Sequence, residues 1–408
     1  MEALFERVFV ETTVDTDQDG QYDLIAVYIK RPKLDEKVPA VFVANPYMLH
    51  CNEDWYDLYD VNTDIQAYPS QNIQREDITF HPKDPVVCPK KEAEQIVESS
   101  PYPEPDPSAY ECISDLYGHL LERGYAGVFS GGLGTRGSDG LTMTGSEEEI
   151  LAFKSVIDWL NGRARAFRDK TRTVQVLASW CTGSVAMSAR SYLGTMCIGV
   201  ATTGVEGLKT ILPEAGISNW YEYYRHNGLT LPPKDWQGDD LDILAKYCFS
   251  RALDSNDFAS IKPLFEKNQK TLQEGEDRQS GNYNRFWDER NYLQHANRIQ
   301  ASVFVLQGLN DWNVKPDQGI RLYEKLQELG KDRMMLLHQG QHIYTYHLEK
   351  SLPVYIDVMD KAFNFREFFR IWTGEIKKDF KPIPKDVNIG DFVHERDINS
   401  FLDLICKK

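Results

Sequence analysis

Runs of apolar residues separated by polar turns give the first picture of this chain. From Glu6 to Arg31 the sequence contains RVFVETT, then the turn DTDQDG and then QYDLIAVYIKRP, which predicts two strands joined as a hairpin. The run VPAVFVANPY, ending at Tyr47, and the run YAGVFSGG, ending near Gly132, are apolar almost throughout, as buried strands are. We therefore expect a sheet that opens with an antiparallel hairpin.

Helical periodicity then alternates with further strand-like runs. The segment from Ser146 to Asn161 begins with Ser, carries Glu three residues later and continues with apolar residues at helical spacing, which is a capping-box signature. VQVLASW and VAMSARS are strand-like, and SYLGTMCIGVATT is typical of a helix whose small residues pack closely on a sheet. Such alternation predicts an α/β fold with a mostly parallel, doubly wound sheet.

The pattern changes between Val205 and Arg298, where aromatic and charged helical segments follow one another without a clear strand. Strand and helix patterns return with ASVFVLQGLND, a helix from Gln318 to Leu329, the strand MMLLHQGQH and a helix from Val354 to Trp372. We divide the chain into a first core segment (1–204), a helical cap insertion (205–298), a second core segment (299–375) and a C-terminal tail (376–408).

One serine lies where a nucleophile is expected in such a fold. Ser191 stands between an apolar strand and a small-residue helix in Ala189-Arg-Ser191-Tyr-Leu-Gly194. Small residues two before and three after the serine allow the sharp strand-to-helix turn called a nucleophile elbow. The alternative is an ordinary helix N-cap, which also favours serine.

Two later residues favour the catalytic interpretation. Asp311 follows the strand ASVFVLQGLN, and His342 lies in the loop after MMLLHQG, which gives the Ser, Asp, His order of α/β-hydrolases. Serine is a poor nucleophile until an imidazole accepts its proton and a carboxylate orients that imidazole. The neighbouring His338 and His347 do not lie at the strand end, and they lack the accompanying carboxylates of a zinc site, so we expect no metal.

The negative charge that develops during acyl transfer requires hydrogen-bond donors. The backbone N–H of Tyr192, directly after the nucleophile, is one candidate. The hydroxyl of Tyr47, after an early strand, is the second, and the alternative for Tyr47 is a packing role.

Charge and cysteine content limit the partners and the compartment. Lys and Arg number 46 against 62 Asp and Glu, and the net charge of −16 argues against nucleic acids and anionic membranes. The seven cysteines are widely spread and form no CxxC pair, as in a reduced cytoplasmic protein. The sequence begins without a secretion-signal pattern and contains no uninterrupted membrane-spanning segment, so we expect a cytoplasmic location.

Two glycine-containing motifs suggest ligands but fit them poorly. Gly132-Leu-Gly134-Thr-Arg-Gly137 resembles a dinucleotide fingerprint, yet it is not in the first strand-helix unit, and we expect no cofactor. Asp15-Thr-Asp17-Gln-Asp19-Gly20 resembles the start of a calcium loop. Its twelfth position is Ala26 instead of Glu and strands flank it, so we interpret it as a hairpin turn.

Beyond these patterns, the chain resembles the catalytic region of X-prolyl dipeptidyl aminopeptidases, serine peptidases that remove X-Pro dipeptides from free N-termini. The matching segments are IDWLNGRARAF, ARSYLGTM, ATTGVEGL, EAGISNWYEYYRHNG, GDDLDIL, RNYL, GLNDWNVKP and HQGQHIY. The resemblance implies the triad Ser191, Asp311 and His342 with Tyr47 as an oxyanion donor. It also implies peptides with proline in the second position as substrates.

The same resemblance implies residues that bind the substrate. Trp220 and Tyr223 match positions of an aromatic pocket for the proline ring, and Asp239, where the family usually has Glu, matches the group that holds the substrate's ammonium. Ala189 replaces a Gly of the family motif. The family's enzymes carry an N-terminal helical domain that promotes dimerisation and a C-terminal β-sandwich domain, and we expect neither here, which leaves a homodimer open. There are two alternatives: an esterase or acylase with the same triad, and a peptide-binding remnant without turnover.

Overall fold

The computed structural model describes residues 2–55, 57–62, 72–104, 120–226, 229–230, 237–338 and 340–344. The strands in these ranges are β1 (Ala3–Glu11), β2 (Leu24–Pro32), β3 (Val38–Asn45), β4 (Gln95–Val97), β5 (Ala126–Gly131), β6 (Ala166–Phe167), β7 (Val174–Val176), β8 (Cys181–Arg190), β9 (Leu208–Glu214), β10 (Arg225–His226), β11 (Leu229–Thr230), β12 (Ser302–Gly308) and β13 (Arg333–His338).

The helices in the same ranges are α1 (Arg75–Ile78), α2 (Glu147–Leu160), α3 (Tyr192–Ala201), α4 (Trp220–Tyr224), α5 (Leu241–Cys248), α6 (Ser255–Glu276), α7 (Arg285–Glu289) and α8 (Asp317–Glu328). Short 3₁₀ helices span Glu53–Trp55, Ser250–Leu253 and Tyr292–Arg298.

Eleven strands form one sheet in the order β13-β12-β9-β8-β3-β5-β2-β1-β6-β7-β4. From β13 to β5 all neighbours are parallel, which confirms the predicted mostly parallel sheet. The predicted opening hairpin is also present, because β1 pairs with β2 in antiparallel register from Ala3 opposite Pro32 to Glu11 opposite Leu24. The carboxyl ends of β8, β9, β12 and β13 lie at one edge, where ligands bind in open α/β sheets.

The core lies along the parallel strands. All eight residues of β3 and all ten of α3 are buried. The small residues of α3 permit this close packing, since a Cβ at Gly199 would collide with Ile150 of α2. This close contact is made with another helix, whereas the sequence predicted close packing of α3 on the sheet.

The start of α2 differs in one detail from the predicted capping box. Ser146 is the N-cap, and its Oγ accepts a hydrogen bond from the Glu149 N–H at 3.3 Å. The Glu149 side chain does not return to the Ser146 N–H; its Oε2 accepts from the Gly145 N–H at 2.6 Å. Glu149 is thus drawn into the interior, where it is 2% exposed.

The segment 205–298 is not helical from its start, contrary to the sequence-based expectation. Leu208–Glu214 forms β9, a strand between β8 and β12 in the middle of the parallel run, and its polar and proline residues hid the strand pattern. The helical part begins at Trp220, with β10 and β11 as a separate two-stranded pair. The predicted helix 354–372 and the tail 376–408 lie outside the described residues.

Candidate active site

Ser191 occupies a sharp turn between the end of β8 and the start of α3. Its backbone has φ 63° and ψ −133°, a left-handed conformation that is costly for a residue with a Cβ. Two hydrogen bonds hold it, one from the Ser191 N–H to the Glu214 carbonyl and one from the Thr195 N–H to the Ser191 carbonyl, each at 2.8 Å. This is the conformation of a nucleophile elbow, which exposes the serine hydroxyl at the sheet edge.

The glycine three residues later is required by space. A Cβ at Gly194 would lie 2.7 Å from the Ala189 carbonyl oxygen and 2.8 Å from the Glu214 carbonyl oxygen, both of which belong to the backbone. Real Cβ atoms do not approach backbone oxygens so closely, so any other residue would open the turn. Ala189, in contrast, is accommodated at its position with 2% exposure.

Asp311 and His342 meet at the same edge of the sheet. Asp311 follows β12 and His342 follows β13, and His342 Nδ1 lies 2.7 Å from Asp311 Oδ2. The other carboxylate oxygen, Oδ1, accepts hydrogen bonds from the N–H groups of Asn313 at 2.9 Å and Val314 at 3.0 Å. Asp311 is 3% exposed, so this buried carboxylate is fixed by its own loop with one oxygen directed at the imidazole.

His338, the nearby competitor, has a different environment. It lies at the end of β13, and its Nδ1 accepts a hydrogen bond from the Gly340 N–H at 3.0 Å. Burial lowers the pKa of His338 to about 4, so the ring stays neutral and structural near neutral pH. His347 lies outside the described residues.

Arg190 connects the serine turn to the histidine loop. Its Nη1 donates to the carbonyl oxygen of His342 at 3.2 Å, and its guanidinium lies 4.4 Å from the centre of the Tyr344 ring. Because Arg190 precedes Ser191 in the chain, these contacts hold the His342 loop against the elbow. Sequence reasoning missed this role, although the position next to the nucleophile was a signal.

Tyr47 and Tyr192, the two candidate oxyanion donors, lie next to each other. Their rings make an edge-to-face contact with centroids 5.6 Å apart. The Tyr192 hydroxyl lies 2.9 and 3.0 Å from the two carboxyl oxygens of Glu149. The Tyr192 side chain is therefore held in the interior, and only the Tyr192 backbone takes part in the elbow. Tyr47 is half-buried and follows β3, as predicted.

Glu149 is a second residue that the sequence did not single out for this site. Burial raises its pKa to about 7, against hydrogen bonds from Gly145 and Tyr192 that favour the charged form. It therefore holds its proton over much of the acidic range. The only sequence signal was its place as the third residue of α2, which suggested a helix cap.

The aromatic residues expected in the pocket pack beside this group. Trp220 is fully buried, its ring centroid lies 5.0 Å from that of Tyr192, and its Nε1–H donates to the Tyr292 hydroxyl at 3.1 Å. The Tyr223 hydroxyl donates to Asn313 Oδ1 at 2.6 Å. Asn313 thereby links the aromatic cluster to the Asp311 loop.

Asp239 and its neighbour Asp240 are both buried but differ in their contacts. Asp240 Oδ1 and Oδ2 accept hydrogen bonds from the Arg225 guanidinium at 3.0 and 2.8 Å, and Oδ2 also accepts from Arg278 Nε at 2.9 Å. Asp239 is 3% exposed, and its Oδ2 accepts from the Tyr224 hydroxyl at 3.3 Å. Arg225 and Arg278 thus hold Asp240 in the helical segment.

Residues 19–344 match the X-Pro dipeptidyl-peptidase (S15 family). The chain belongs to this family. It is 41% identical over 363 residues to the Xaa-Pro dipeptidyl-peptidase of Lacticaseibacillus casei, covering 88% of this chain and 44% of that protein. It is 42% identical over 348 residues to the enzyme of that name from Lactiplantibacillus plantarum, covering 84% of this chain and 42% of that protein. This S15-family chain thus spans less than half the length of these curated relatives.

Solved structures agree with the S15 family on the fold. A CocE/NonD family hydrolase from Staphylococcus aureus superposes with a TM-score of 0.51 and 15% identity, covering 93% of this chain and 55% of that one. Together with the parallel sheet and the serine turn, this establishes the predicted α/β-hydrolase fold. Within the described residues, no helix combines the length and the apolar composition needed to cross a bilayer.

Proposed function

We propose that this chain is a serine peptidase that releases X-Pro dipeptides from the N-termini of peptides. The contact between His342 Nδ1 and Asp311 Oδ2 at 2.7 Å, at the same sheet edge as the strained Ser191 turn, is the observation that supports it most. Membership of the S15 family and the names of the relatives favour proline in the second position of the substrate.

In the proposed mechanism Ser191 Oγ attacks the carbonyl carbon after proline while His342 takes its proton. Asp311 keeps Nδ1 of His342 protonated and stabilises the imidazolium. The Tyr192 N–H and the Tyr47 hydroxyl donate to the oxyanion. His342 then protonates the leaving amine, and a water molecule hydrolyses the acyl-enzyme by the reverse sequence of proton transfers.

The resemblance to the S15 family supplies the proposed substrate-binding residues. Trp220 and Tyr223 belong to a rigid aromatic group that we assign to the proline ring, since Trp220 is fixed by Tyr292 and Tyr223 by Asn313. Asp239 receives the free ammonium of the substrate, because it stands where the family usually has Glu. Its neighbour Asp240 pairs with Arg225 and Arg278.

We place the activity on peptides in the cytoplasm. Five cysteines in the described residues, namely Cys51, Cys88, Cys181, Cys197 and Cys248, are free thiols, as in a reducing compartment. The net charge of −16 repels nucleic acids and anionic membranes and favours cationic peptide amines. A homodimer stays a hypothesis that sedimentation of the purified chain would test.

The deciding experiment compares initial rates on Gly-Pro and Ala-Pro chromogenic amides with rates on short-chain nitrophenyl esters. We expect the amides to dominate kcat/KM; dominant ester turnover would instead assign an esterase. A fluorophosphonate probe should label the chain, Ser191→Ala should abolish both labelling and turnover, and Ser188→Ala on the same strand should abolish neither. The absence of both labelling and turnover would favour a peptide-binding remnant, because only an activated serine reacts with the probe.

A further inference from the structure

The connection between β1 and β2 concentrates acidic side chains away from the catalytic motifs. Asp15, Asp17 and Asp19 each place one carboxylate oxygen within 4.8 Å of the others. Their spacing of two residues followed by Gly20 is that of the first half of a calcium loop. By itself such a group is common on protein surfaces, and the sequence assigned it to a hairpin turn.

Asp23 supplies an independent observation, because this carboxyl group is buried under the same loop. Asp23 is 1% exposed, and its Oδ2 accepts hydrogen bonds from the N–H and the hydroxyl of Thr16, at 2.8 and 2.7 Å. Thr16 stands between Asp15 and Asp17, so the carboxyl group faces the acidic loop. Its other oxygen, Oδ1, is buried without a hydrogen-bond partner among the described residues.

A buried carboxyl oxygen without a partner is unfavourable unless something else satisfies it. A divalent cation bound at this loop, with its water shell, would supply the missing partner. Asp23 is also the ninth residue counted from Asp15, a position that calcium loops use for coordination.

Around the β1–β2 connection, the acidic side chains outnumber the basic side chains that pair with them. Arg251 Nη1 pairs with Asp17 Oδ2 at 2.8 Å, and the same arginine also pairs with Asp257. Lys170 is paired with Asp139, a further carboxylate whose charge acts on Asp23. Within the described part of the chain, no lysine or arginine forms an ion pair with Asp15, Asp19 or Asp23.

We propose that the β1–β2 connection binds one calcium ion through the carboxylates of Asp15, Asp17 and Asp19, with the buried Asp23 reaching the ion through a water molecule. Oxygen ligands in this number suit calcium, which accepts six to eight of them in flexible geometry, while water completes the shell. Magnesium usually takes one or two carboxylates and keeps its waters, so it fits less well.

A bound ion would connect three parts of the fold. The Gly140 N–H donates to Asp17 Oδ2 at 3.1 Å and the Leu141 N–H donates to Thr16 Oγ1 at 2.9 Å, which joins the loop to the segment after β5. Arg251 joins it to the helical segment. We therefore expect calcium to stabilise the whole chain.

The test uses the full chain after dialysis against a chelator. Calorimetric titration with calcium chloride should show one equivalent bound, and 1 mM calcium should raise Tm by a few degrees, about the size expected for a ligand well above its Kd. Asp19→Asn, at an exposed position that folding tolerates, should weaken calcium binding by roughly tenfold or more. Asp35→Asn, an exposed acid in the next turn, should bind like wild type.

Three results would overturn the proposal. One is the absence of both binding heat and a calcium-dependent Tm shift in the wild-type chain. Another is an equal calcium response in Asp19→Asn and wild type, which would place the ion elsewhere. The third is a Tm shift from magnesium as large as that from calcium, which would overturn the choice of ion. Peptidase activity is not used, so the outcome is independent of the proposed function.

Discussion

The carboxyl edge of the parallel strands and the helical segment from Trp220 to Arg298 both bury carboxylates, but they balance the charges differently. At the sheet edge, Asp311 is held by two backbone N–H groups and faces a histidine. In the helical segment, Asp240 faces the guanidinium groups of Arg225 and Arg278, which are permanently charged.

The charged cluster in the helical segment contains three acidic residues and two arginines. Asp240, Asp242 and Glu276 share Arg225 and Arg278, and Arg278 contacts all three acids. Burial, together with the charges of Asp240 and Asp242, raises the pKa of Glu276 well above its ordinary value. The cluster thus pairs three buried acids with two guanidinium groups, an arrangement suited to stabilising the segment.

The comparison separates a carboxylate placed for proton transfer from carboxylates placed for structure. A histidine can change its charge near neutral pH, whereas an arginine cannot. Loss of Asp311 should therefore impair turnover more than folding, and loss of Asp240 should impair folding more than turnover. Asp239 adjoins the second group in sequence but is proposed to act in substrate recognition.

The largest effect is expected from Asp311→Asn. The amide no longer selects the histidine tautomer that accepts the serine proton, so kcat for a Gly-Pro amide should fall by roughly 10⁴-fold with little change in KM. Asp317→Asn, at the start of α8, is the matched control and should retain wild-type kcat. A loss confined to KM would contradict the proposed role of Asp311.

Tyr47→Phe tests the same sheet edge with a smaller change. Removing one oxyanion donor should lower kcat by roughly 10²-fold or more, while the ring contact with Tyr192 is kept. Tyr102→Phe also removes one hydroxyl, in this case from a tyrosine paired with Arg7 on β1, and should leave kcat unchanged. Wild-type kcat in Tyr47→Phe would exclude that hydroxyl from the reaction.

Asp239→Asn and Asp240→Asn should separate recognition from structure in the helical segment. Losing a charge-assisted hydrogen bond to the substrate ammonium should lower kcat/KM of Asp239→Asn for Gly-Pro amides by roughly 10- to 150-fold. Its Tm should stay near that of wild type. Asp240→Asn removes the charge opposite the buried Arg225, and breaking such a pair costs about 3–5 kcal/mol of unfolding free energy.

An N-acetylated Gly-Pro amide provides the substrate control, since it has no ammonium group. Its slow turnover should be nearly the same in wild type and Asp239→Asn. Equal losses on the free and the acetylated substrate would show that Asp239 supports the fold of the segment and does not recognise the ammonium.

Whether a contact in these two regions could be predicted from the sequence depends on how the fold brings its residues together. Asp311 and His342 were found from sequence because parallel strands end at one edge, so residues after successive strands converge. β9 was missed because Leu208–Glu214 mixes Lys, Pro and Glu with its apolar residues. Arg225 and Asp240 lie 15 residues apart and pair only through the folded segment, so no local pattern predicts their contact.

Glu149 gives the smallest and most specific prediction, because no arginine in the described part of the chain forms an ion pair with this buried carboxyl. Its pKa is about 7 in the folded chain and 4.5 ordinarily, so the folded state binds the extra proton between these values. The stabilising contribution is complete below about pH 4.5 and is lost as the pH rises through about 7. Wild-type Tm should therefore decrease from pH 5 to pH 8.

Glu149→Gln should remove that part of the pH dependence. A glutamine amide imitates the protonated carboxyl, because its oxygen can accept from the Gly145 N–H and its NH₂ can donate to the Tyr192 oxygen. Its Tm at pH 8 should exceed that of wild type by a few degrees, as expected for roughly 1–3 kcal/mol. Glu324→Gln, at an exposed position on α8, should follow the wild-type profile. If Glu149→Gln instead lost stability equally at pH 5 and pH 8, the carboxylate would be ionised in the fold, and Glu149 would belong with the charge-balanced acids of the helical segment.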